Sequence, residues 1–149
     1  MGLLSKGQFI ETDRSGLVAG YVGQTALKVQ DLVEKSLGGI LFIDEAYALT
    51  DTHSENDYGR EAVDTLLKAM EDHRDDFIVI EAGYPELMAH FVDSNPGLRS
   101  RFNKHIYFED YRVEELYEIF KRMCENTGYI LIKGFACQYI SCVFAQDIY

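Results

Sequence analysis

Residues 39–46 read Gly39-Ile40-Leu41-Phe42-Ile43-Asp44-Glu45-Ala46, and this stretch decides the fold class. Four apolar residues lead directly into two adjacent carboxylates. A run this short and this apolar predicts a strand buried on both faces, as strands are inside the parallel sheet of an α/β protein. Acidic residues at the C-terminal end of such a strand are expected at the sheet edge where open α/β folds bind ligands.

The two acids also give this segment the form of a Walker B strand. In such a strand the first acid, here Asp44, holds the Mg²⁺ of a nucleoside triphosphate, and the second, Glu45, orients and polarises the attacking water. The alternative is a buried strand that leaves the core through a polar turn, since an apolar strand followed by an acid also occurs by chance. The other segments of the chain favour the Walker B interpretation.

Composition narrows the class of protein. The chain has 149 residues, which suits one domain, and its hydrophobic fraction of 47% is ample for a core. Its net charge of −11 argues against a broad electrostatic grip on nucleic acid or an anionic membrane, although Mg²⁺ and a few local cations can still hold a nucleotide. The three cysteines, Cys124, Cys137 and Cys142, lack metal-ligand spacing, so reduced thiols and a cytoplasmic location are expected.

Short apolar runs alternate along the chain with segments of helical periodicity. The runs predict strands near residues 8–11, 39–43, 77–82 and 104–108. The periodic segments predict helices over residues 24–37, 59–73, 84–91 and from 113 to a stop at Gly128, while Asn95-Pro96-Gly97 predicts a turn. This alternation predicts an α/β fold, a parallel sheet with helical crossovers.

A set of segments in a fixed order carries the most specific signal. They are Asp13-Arg14-Ser15-Gly16-Leu17-Val18-Ala19-Gly20-Tyr21-Val22-Gly23-Gln24-Thr25, residues 39–48, Ala69-Met70-Glu71-Asp72-His73-Arg74-Asp75-Asp76, Ala82-Gly83-Tyr84-Pro85 and Ser94-Asn95-Pro96-Gly97-Leu98-Arg99-Ser100-Arg101-Phe102. Together they resemble the AAA+ ATPases of the stage V sporulation protein K type, which is related to the red-type Rubisco activases. The resemblance covers about residues 1–130. It implies a P-loop NTPase core that assembles into a ring hexamer, hydrolyses ATP between subunits and remodels a client protein.

The resemblance assigns roles to individual residues around ATP and Mg²⁺. Asp44 matches the Mg²⁺-coordinating acid and Glu45 the water-activating acid. Arg101 matches the arginine finger that reaches into a neighbouring subunit's nucleotide site, with Arg99 as the nearby alternative. Outside this motif context, surface salt bridging would explain both arginines. Tyr84 falls where many members have a polar residue that touches the γ-phosphate, and packing is an equal alternative.

The resemblance also implies a loop that grips client polypeptide in the central pore. Tyr21 matches the aromatic residue of this loop, and Val22 follows it. The alternative is a half-buried loop aromatic. Gly20 and Gly23 on either side suit a mobile loop better than a core corner.

One family motif is missing from these residues, because no G-x-x-x-x-G-K-[ST] sequence occurs in them. Without this Walker A loop nothing cradles the α- and β-phosphates, so the isolated chain is expected to bind ATP poorly. We therefore interpret residues 1–128 as a partial, incomplete AAA+ core of a longer or truncated product. Residues 129–149 are interpreted as a truncated or atypical start of a helical lid. The alternative function is a non-catalytic interaction module that supplies an arginine finger and a pore loop in trans.

The resemblance makes geometric predictions as well. The family's strand leading into Walker A lies between the third and fourth predicted strands, so the sheet should show a gap, or direct pairing, beside residues 77–82. A continuous sheet of all four runs in sequence order would contradict the resemblance. Asp44 and Glu45 should lie beside Tyr84 at one sheet edge. Glu81 should share a face with Phe77 and Val79, and the missing strand should leave it partly solvated. A buried, unpaired carboxylate would be costly and would shift toward its neutral form.

Overall fold

The computed structural model describes residues 4–21, 23–50 and 58–129. The chain divides into two compact units, Met1–His105 and Ile106–Tyr149. The segment predicted to begin a helical lid, residues 129–149, lies outside the described residues except for Tyr129, and Cys137 and Cys142 lie in it. Among the described residues, no helix combines the length and the apolar character needed to cross a lipid bilayer.

The first unit is built on a parallel sheet. In the described part of the chain its strands are β1 (Phe9–Thr12), β2 (Ile40–Ile43) and β3 (Ile78–Glu81), in the spatial order β1-β2-β3. Ile40 of β2 lies between Phe9 and Ile78 in the register. The parallel pairing confirms the predicted α/β fold for these strands.

The helices of the first unit follow the predicted periodicity closely. Helices α2 and α3 start where predicted and end one residue early. Helix α5 lies where only a turn is predicted, because the Asn95 side chain accepts a hydrogen bond from the Gly97 backbone at 2.8 Å and caps a helix that begins with Pro96. The bounds are α1 (Arg14–Leu17), α2 (Gln24–Ser36), α3 (Gly59–Asp72), α4 (Pro85–Asp93) and α5 (Pro96–Arg101).

The hydrophobic core lies on one face of the sheet. Leu41 and Ile43 of β2 are fully buried there. Helices α2 and α3 pack along each other over this face, as expected when successive right-handed crossovers move the same way across a sheet. Each fully buried aliphatic side chain contributes roughly 1.5–3 kcal/mol. Further buried members of the core are Leu17, Val29, Val33, Ala46, Leu49, Ala62, Val63, Leu66, Leu67, Phe77, Phe91 and Leu98.

The opposite face of the sheet is partly open. Phe9, Ile78 and Ile80 are 57%, 38% and 41% exposed, and Ile40 and Phe42 are half-buried. The prediction that this central strand is buried on both faces is therefore wrong within the described residues. The physical reason is that buried residues of α2 and α3 form one core cluster with Leu41 and Ile43, on the other face.

The prediction of a fourth strand over residues 104–108 is wrong. These residues have no regular secondary structure, and Ile106, Tyr107 and Phe108 are 80%, 75% and 92% exposed. A strand needs a hydrogen-bonded partner, and no described segment supplies the strand that the resemblance places between this run and β3. Within the described residues β3 is thus an edge strand, and the predicted gap, which required a strand at 104–108 on its far side, is not tested.

Glu81 ends β3 on the same face as Val79, as predicted, and both residues are half-buried. Its two carboxylate oxygens are nevertheless shielded from solvent and lack a hydrogen-bond partner among the described residues. The expected partial solvation is wrong for the carboxylate, because the side chain points to the helix-covered face. Burial raises the pKa of Glu81 from 4.5 to about 8, the direction predicted for a buried, unpaired acid.

The second unit contains α6 (Val113–Asn126), which confirms the predicted helix. Glu115 caps its start: the Arg112 backbone N–H donates to Glu115 Oε2 at 2.8 Å, and the Glu115 carboxylate also pairs with the Arg112 guanidinium. These bonds lower the pKa of Glu115. Met123 and Phe120 of α6 are 62% and 43% exposed.

Candidate active site

Asp44 and Glu45 directly follow β2 and lie at the C-terminal edge of the sheet. The Asp44 backbone N–H donates to the Thr12 carbonyl at 2.8 Å, which extends the pairing with β1 by one residue. Both acids are exposed, and Asp44 Oδ1 accepts a hydrogen bond from the Glu45 backbone N–H at 3.0 Å. The backbone therefore fixes the orientation of the Asp44 carboxylate.

Glu45 has a left-handed backbone, with φ of 49°. Among the described residues it is the one non-glycine residue with positive φ. Such a conformation costs of order 1–3 kcal/mol and is retained where the surrounding structure determines it. Here the reversal turns the chain from β2 into a 3₁₀ turn, Ala46–Leu49, whose end residues are almost completely buried.

Tyr47, inside this 3₁₀ turn, contacts Glu45 directly. Its hydroxyl donates to Glu45 Oε1 over 3.1 Å, and its ring is half-buried against the core. Partial burial and this hydrogen bond raise the pKa of Tyr47 above its ordinary value, since both disfavour the phenolate.

Tyr84 reaches the same edge from β3. The Ala46 N–H donates to the Ala82 carbonyl at 3.1 Å, which ties the turn after β2 to the segment after β3. The rings of Tyr47 and Tyr84 lie 6.4 Å apart between centroids. The structure thus places Tyr84 at the edge that carries Asp44 and Glu45, as predicted, while the contact of Tyr84 with a phosphate stays a prediction.

Gly83 allows the turn that carries Tyr47 and the segment that carries Tyr84 to lie close together. A Cβ atom at this position would lie 2.8 Å from Tyr47 Cδ1 and 2.9 Å from Met88 Sδ. These distances are shorter than van der Waals contact, so a side chain at position 83 would displace the Tyr47 ring.

An open depression of about 390 Å³ lies beside the acids. It is lined by Glu11, Thr12, Asp13 and Asp44. Hydrogen bonds from the Ser15 hydroxyl and the Gly16 N–H lower the pKa of Asp13. Carboxylate oxygens suit Mg²⁺, so Asp44 fits a magnesium ligand. The acids alone would repel phosphates, and the sequence provides no P-loop beside them.

The two candidate arginine fingers lie at the end of α5, and each pairs with an acid of the same chain. Arg99 is 70% exposed at its side chain and pairs with Asp93. Arg101 is 28% exposed at its side chain and pairs with Glu71 of α3 at 3.2 Å. The Nε atom of Arg101 is buried and lacks a partner among the described residues. Neither residue contacts the acids after β2 in the described hydrogen bonds and ion pairs.

Tyr21 is 73% exposed, which disagrees with the alternative of a half-buried loop aromatic. The loop before it is tied to the start of α2, because the buried Thr25 hydroxyl accepts from the Ala19 N–H at 3.0 Å and Lys28 donates to the Val18 carbonyl at 3.1 Å. Val22 lies outside the described residues.

Sequence reasoning missed Tyr47 and the close approach at Gly83. The available signal was a polar-tipped aromatic two residues after Glu45. The contact depends on the left-handed turn at Glu45, a conformation that local sequence rules rarely give to glutamate.

Comparison with known proteins shows the family to which this fold belongs. Residues 3–110 match the model of the AAA family, the ATPases associated with various cellular activities. The chain belongs to this family, and the recognition made from its motifs is confirmed.

Three individual proteins are similar to most of this chain. The chain is 55% identical to stage V sporulation protein K of Bacillus subtilis over 131 residues, which are 88% of this chain and 40% of that protein. It is 50% identical to a protein CfxQ homolog of Trieres chinensis over 131 residues, 88% of this chain and 45% of the relative. It is 46% identical to protein CbbX of Cereibacter sphaeroides over 129 residues, which are 87% of this chain and 42% of that protein. The chain thus spans less than half the length of these relatives.

Proposed function

We propose that these residues form part of an AAA ATPase that couples ATP binding and hydrolysis to the remodelling of a client protein. The observation that carries the proposal is the meeting of Asp44, Glu45 and Tyr84 at the C-terminal edge of the parallel sheet. Open α/β sheets bind their ligands at this edge. Membership of the AAA family supports the choice of a nucleotide as the ligand.

In this proposal Asp44 holds Mg²⁺ and Glu45 orients the attacking water. Phosphoryl transfer needs its charge neutralised and its nucleophile placed in line. Asp44 suits the first task, because its backbone contact to Glu45 fixes one carboxylate oxygen. Glu45 suits the second, because it is exposed at the end of β2. Tyr84 would contact the γ-phosphate.

The ring assembly and the client contact belong to the same proposal. Arg101, or Arg99 in its place, would leave its intrachain acid and stabilise the phosphoryl group held by a neighbouring subunit. Tyr21, exposed between two glycines, would grip client polypeptide in the pore together with Val22. A homo-oligomeric ring, in family terms a hexamer, is what both roles require.

The test uses a graft protein, in which the 131 matched residues of the Bacillus subtilis relative are replaced by those of this chain. The graft is expected to hydrolyse ATP, whereas the isolated 149-residue chain should show negligible activity, because its sequence holds no Walker A motif to cradle the phosphates. In the graft, Glu45→Gln should lower kcat by roughly 10²-fold or more while ATP binding persists. Steady-state phosphate release and titration with a fluorescent ATP analogue measure the two quantities.

Glu34→Gln is the matched control, since Glu34 is an exposed glutamate on α2 away from the site. Undiminished turnover in Glu45→Gln would contradict the role of Glu45.

A second function, an interaction module acting in trans, is favoured by one observation. The sequence lacks a P-loop motif, yet it carries the candidate finger arginines and the exposed Tyr21. Adding the isolated chain to an Arg101→Ala graft distinguishes the two functions. Restored ATPase activity would support the module, and its absence would favour a chain that works only within a complete subunit.

A further inference from the structure

We propose that Tyr47 is a positioning residue for Glu45: its hydroxyl holds the carboxylate in the orientation from which Glu45 acts on the attacking water. The inference rests on the proposed function, because it gives a purpose to Tyr47 only where Glu45 is the water-activating acid.

The contact itself is specific. Tyr47 donates to Glu45 Oε1 at 3.1 Å, and among the described residues it is the one side chain that hydrogen-bonds to the Glu45 carboxylate. Glu45 is exposed, so without this contact its side chain would sample several rotamers. A fixed donor removes that freedom before the reaction, which is how catalytic groups are held near their productive geometry.

The donor is held rigidly. Tyr47 sits in the 3₁₀ turn between the buried residues Ala46 and Leu49, and Arg14 donates from its guanidinium to the Ala48 carbonyl of the same turn. The Tyr47 ring packs against Gly83 on one side and faces the Tyr84 ring 6.4 Å away. The turn therefore fixes the Tyr47 hydroxyl relative to both β2 and β3.

The chemistry of the donor also suits a general base. A phenol is neutral at physiological pH, so it orients the carboxylate without placing a positive charge beside it. A lysine or arginine at this position would hold Glu45 as well but would place a positive charge against the carboxylate. Tyr47 thus positions Glu45 and leaves its negative charge available to the water.

The contact is tested in the 149-residue chain as it exists, without nucleotide. With ¹³C at tyrosine Cζ, NMR should show an upfield shift of the Tyr47 resonance when Glu45→Gln replaces the charged acceptor. The resonance of the exposed Tyr21 should stay in place. An unmoved Tyr47 resonance would overturn the proposal, because the hydroxyl would then not be bonded to the carboxylate.

The positioning role is tested by kinetics in the graft. Tyr47→Phe removes the hydroxyl and keeps the ring, so kcat should fall by about 10-fold while the KM for ATP stays unchanged. Tyr117→Phe makes the same chemical change on α6, where the hydroxyl has no hydrogen bond among the described residues, and should leave kcat as it is. An unchanged or increased kcat in Tyr47→Phe, or an equal fall in both variants, would overturn the proposal.

The role of Glu45 and the positioning role of Tyr47 can fail separately. Retained turnover in Glu45→Gln would remove the role of Glu45 and with it the proposed function of the site. Abolished turnover in Glu45→Gln together with normal turnover in Tyr47→Phe would remove only the positioning role.

Discussion

The buried carboxylate of Glu81 should make the stability of the fold depend on pH, and a substitution at this one position should remove that dependence. Because burial raises its folded-state pKa to about 8 from 4.5, the folded chain holds a proton that the unfolded chain has lost between these values. Stability should therefore fall by a few kcal/mol as pH rises through this window and level off above it. Glu81→Gln should flatten the decline, as measured by urea unfolding between pH 5 and pH 8.

Glu34→Gln again serves as the control for this measurement, because Glu34 is exposed on α2. An equally steep decline in Glu81→Gln would show that other groups cause the pH dependence.

At the scale of elements, α5 depends on its first capping residue. Asn95 accepts from the Gly97 N–H at 2.8 Å and donates to Asp64 of α3 at 3.2 Å. Asn95→Ala should lower the free energy of unfolding by about 1 kcal/mol, since both the cap and the link to α3 are lost. Thermal and urea unfolding measure the change. Asn103→Ala is the control, because Asn103 is exposed just after α5, and an equal loss there would contradict the capping role.

The elements also show which parts of the fold can be predicted from the sequence. The apolar stripes of α2 and α3 place both helices, because their periodicity reflects burial on a single face. Helix α5 cannot be predicted from the sequence, because Asn95-Pro96-Gly97 suits a turn and a helix start equally. Residues 104–108 alternate like a strand, but pairing requires a neighbour that local pattern cannot supply.

The candidate site, like the fold, has parts that the sequence predicts and parts that it does not. The Asp44-Glu45 pair and Tyr84 can be placed at one sheet edge from the strand pattern alone, because the ends of parallel strands meet there. The contact between Tyr47 and Glu45 requires the left-handed turn, and the ion pair of Arg101 joins residues 30 positions apart in sequence. Such contacts arise from tertiary packing, which sequence periodicity does not encode.

At the scale of the whole molecule, the role proposed for Arg101 as an arginine finger predicts cooperation between subunits. Arg101→Ala in the graft should lose most ATPase activity, because a finger is worth about 10³–10⁵ in kcat. Mixing Arg101→Ala with Glu45→Gln subunits should restore part of it, since a site that keeps Glu45 then receives Arg101 from its neighbour. Phosphate release across a series of mixing ratios measures the rescue.

Arg99→Ala provides the comparison, because Arg99 lies on the same helix and pairs with a different acid. Undiminished turnover in Arg101→Ala would remove Arg101 from the site and leave Arg99 as the finger.

The spatial order β1-β2-β3 has a consequence for synthesis on the ribosome. Among the described strands, β2 pairs with β1 and β3 with β2, so each pairs with the strand made just before it. On the ribosome β2 can therefore pair with β1, and β3 with β2, as soon as each has left the exit tunnel. Assembly of these three strands can follow translation from β1 to β3.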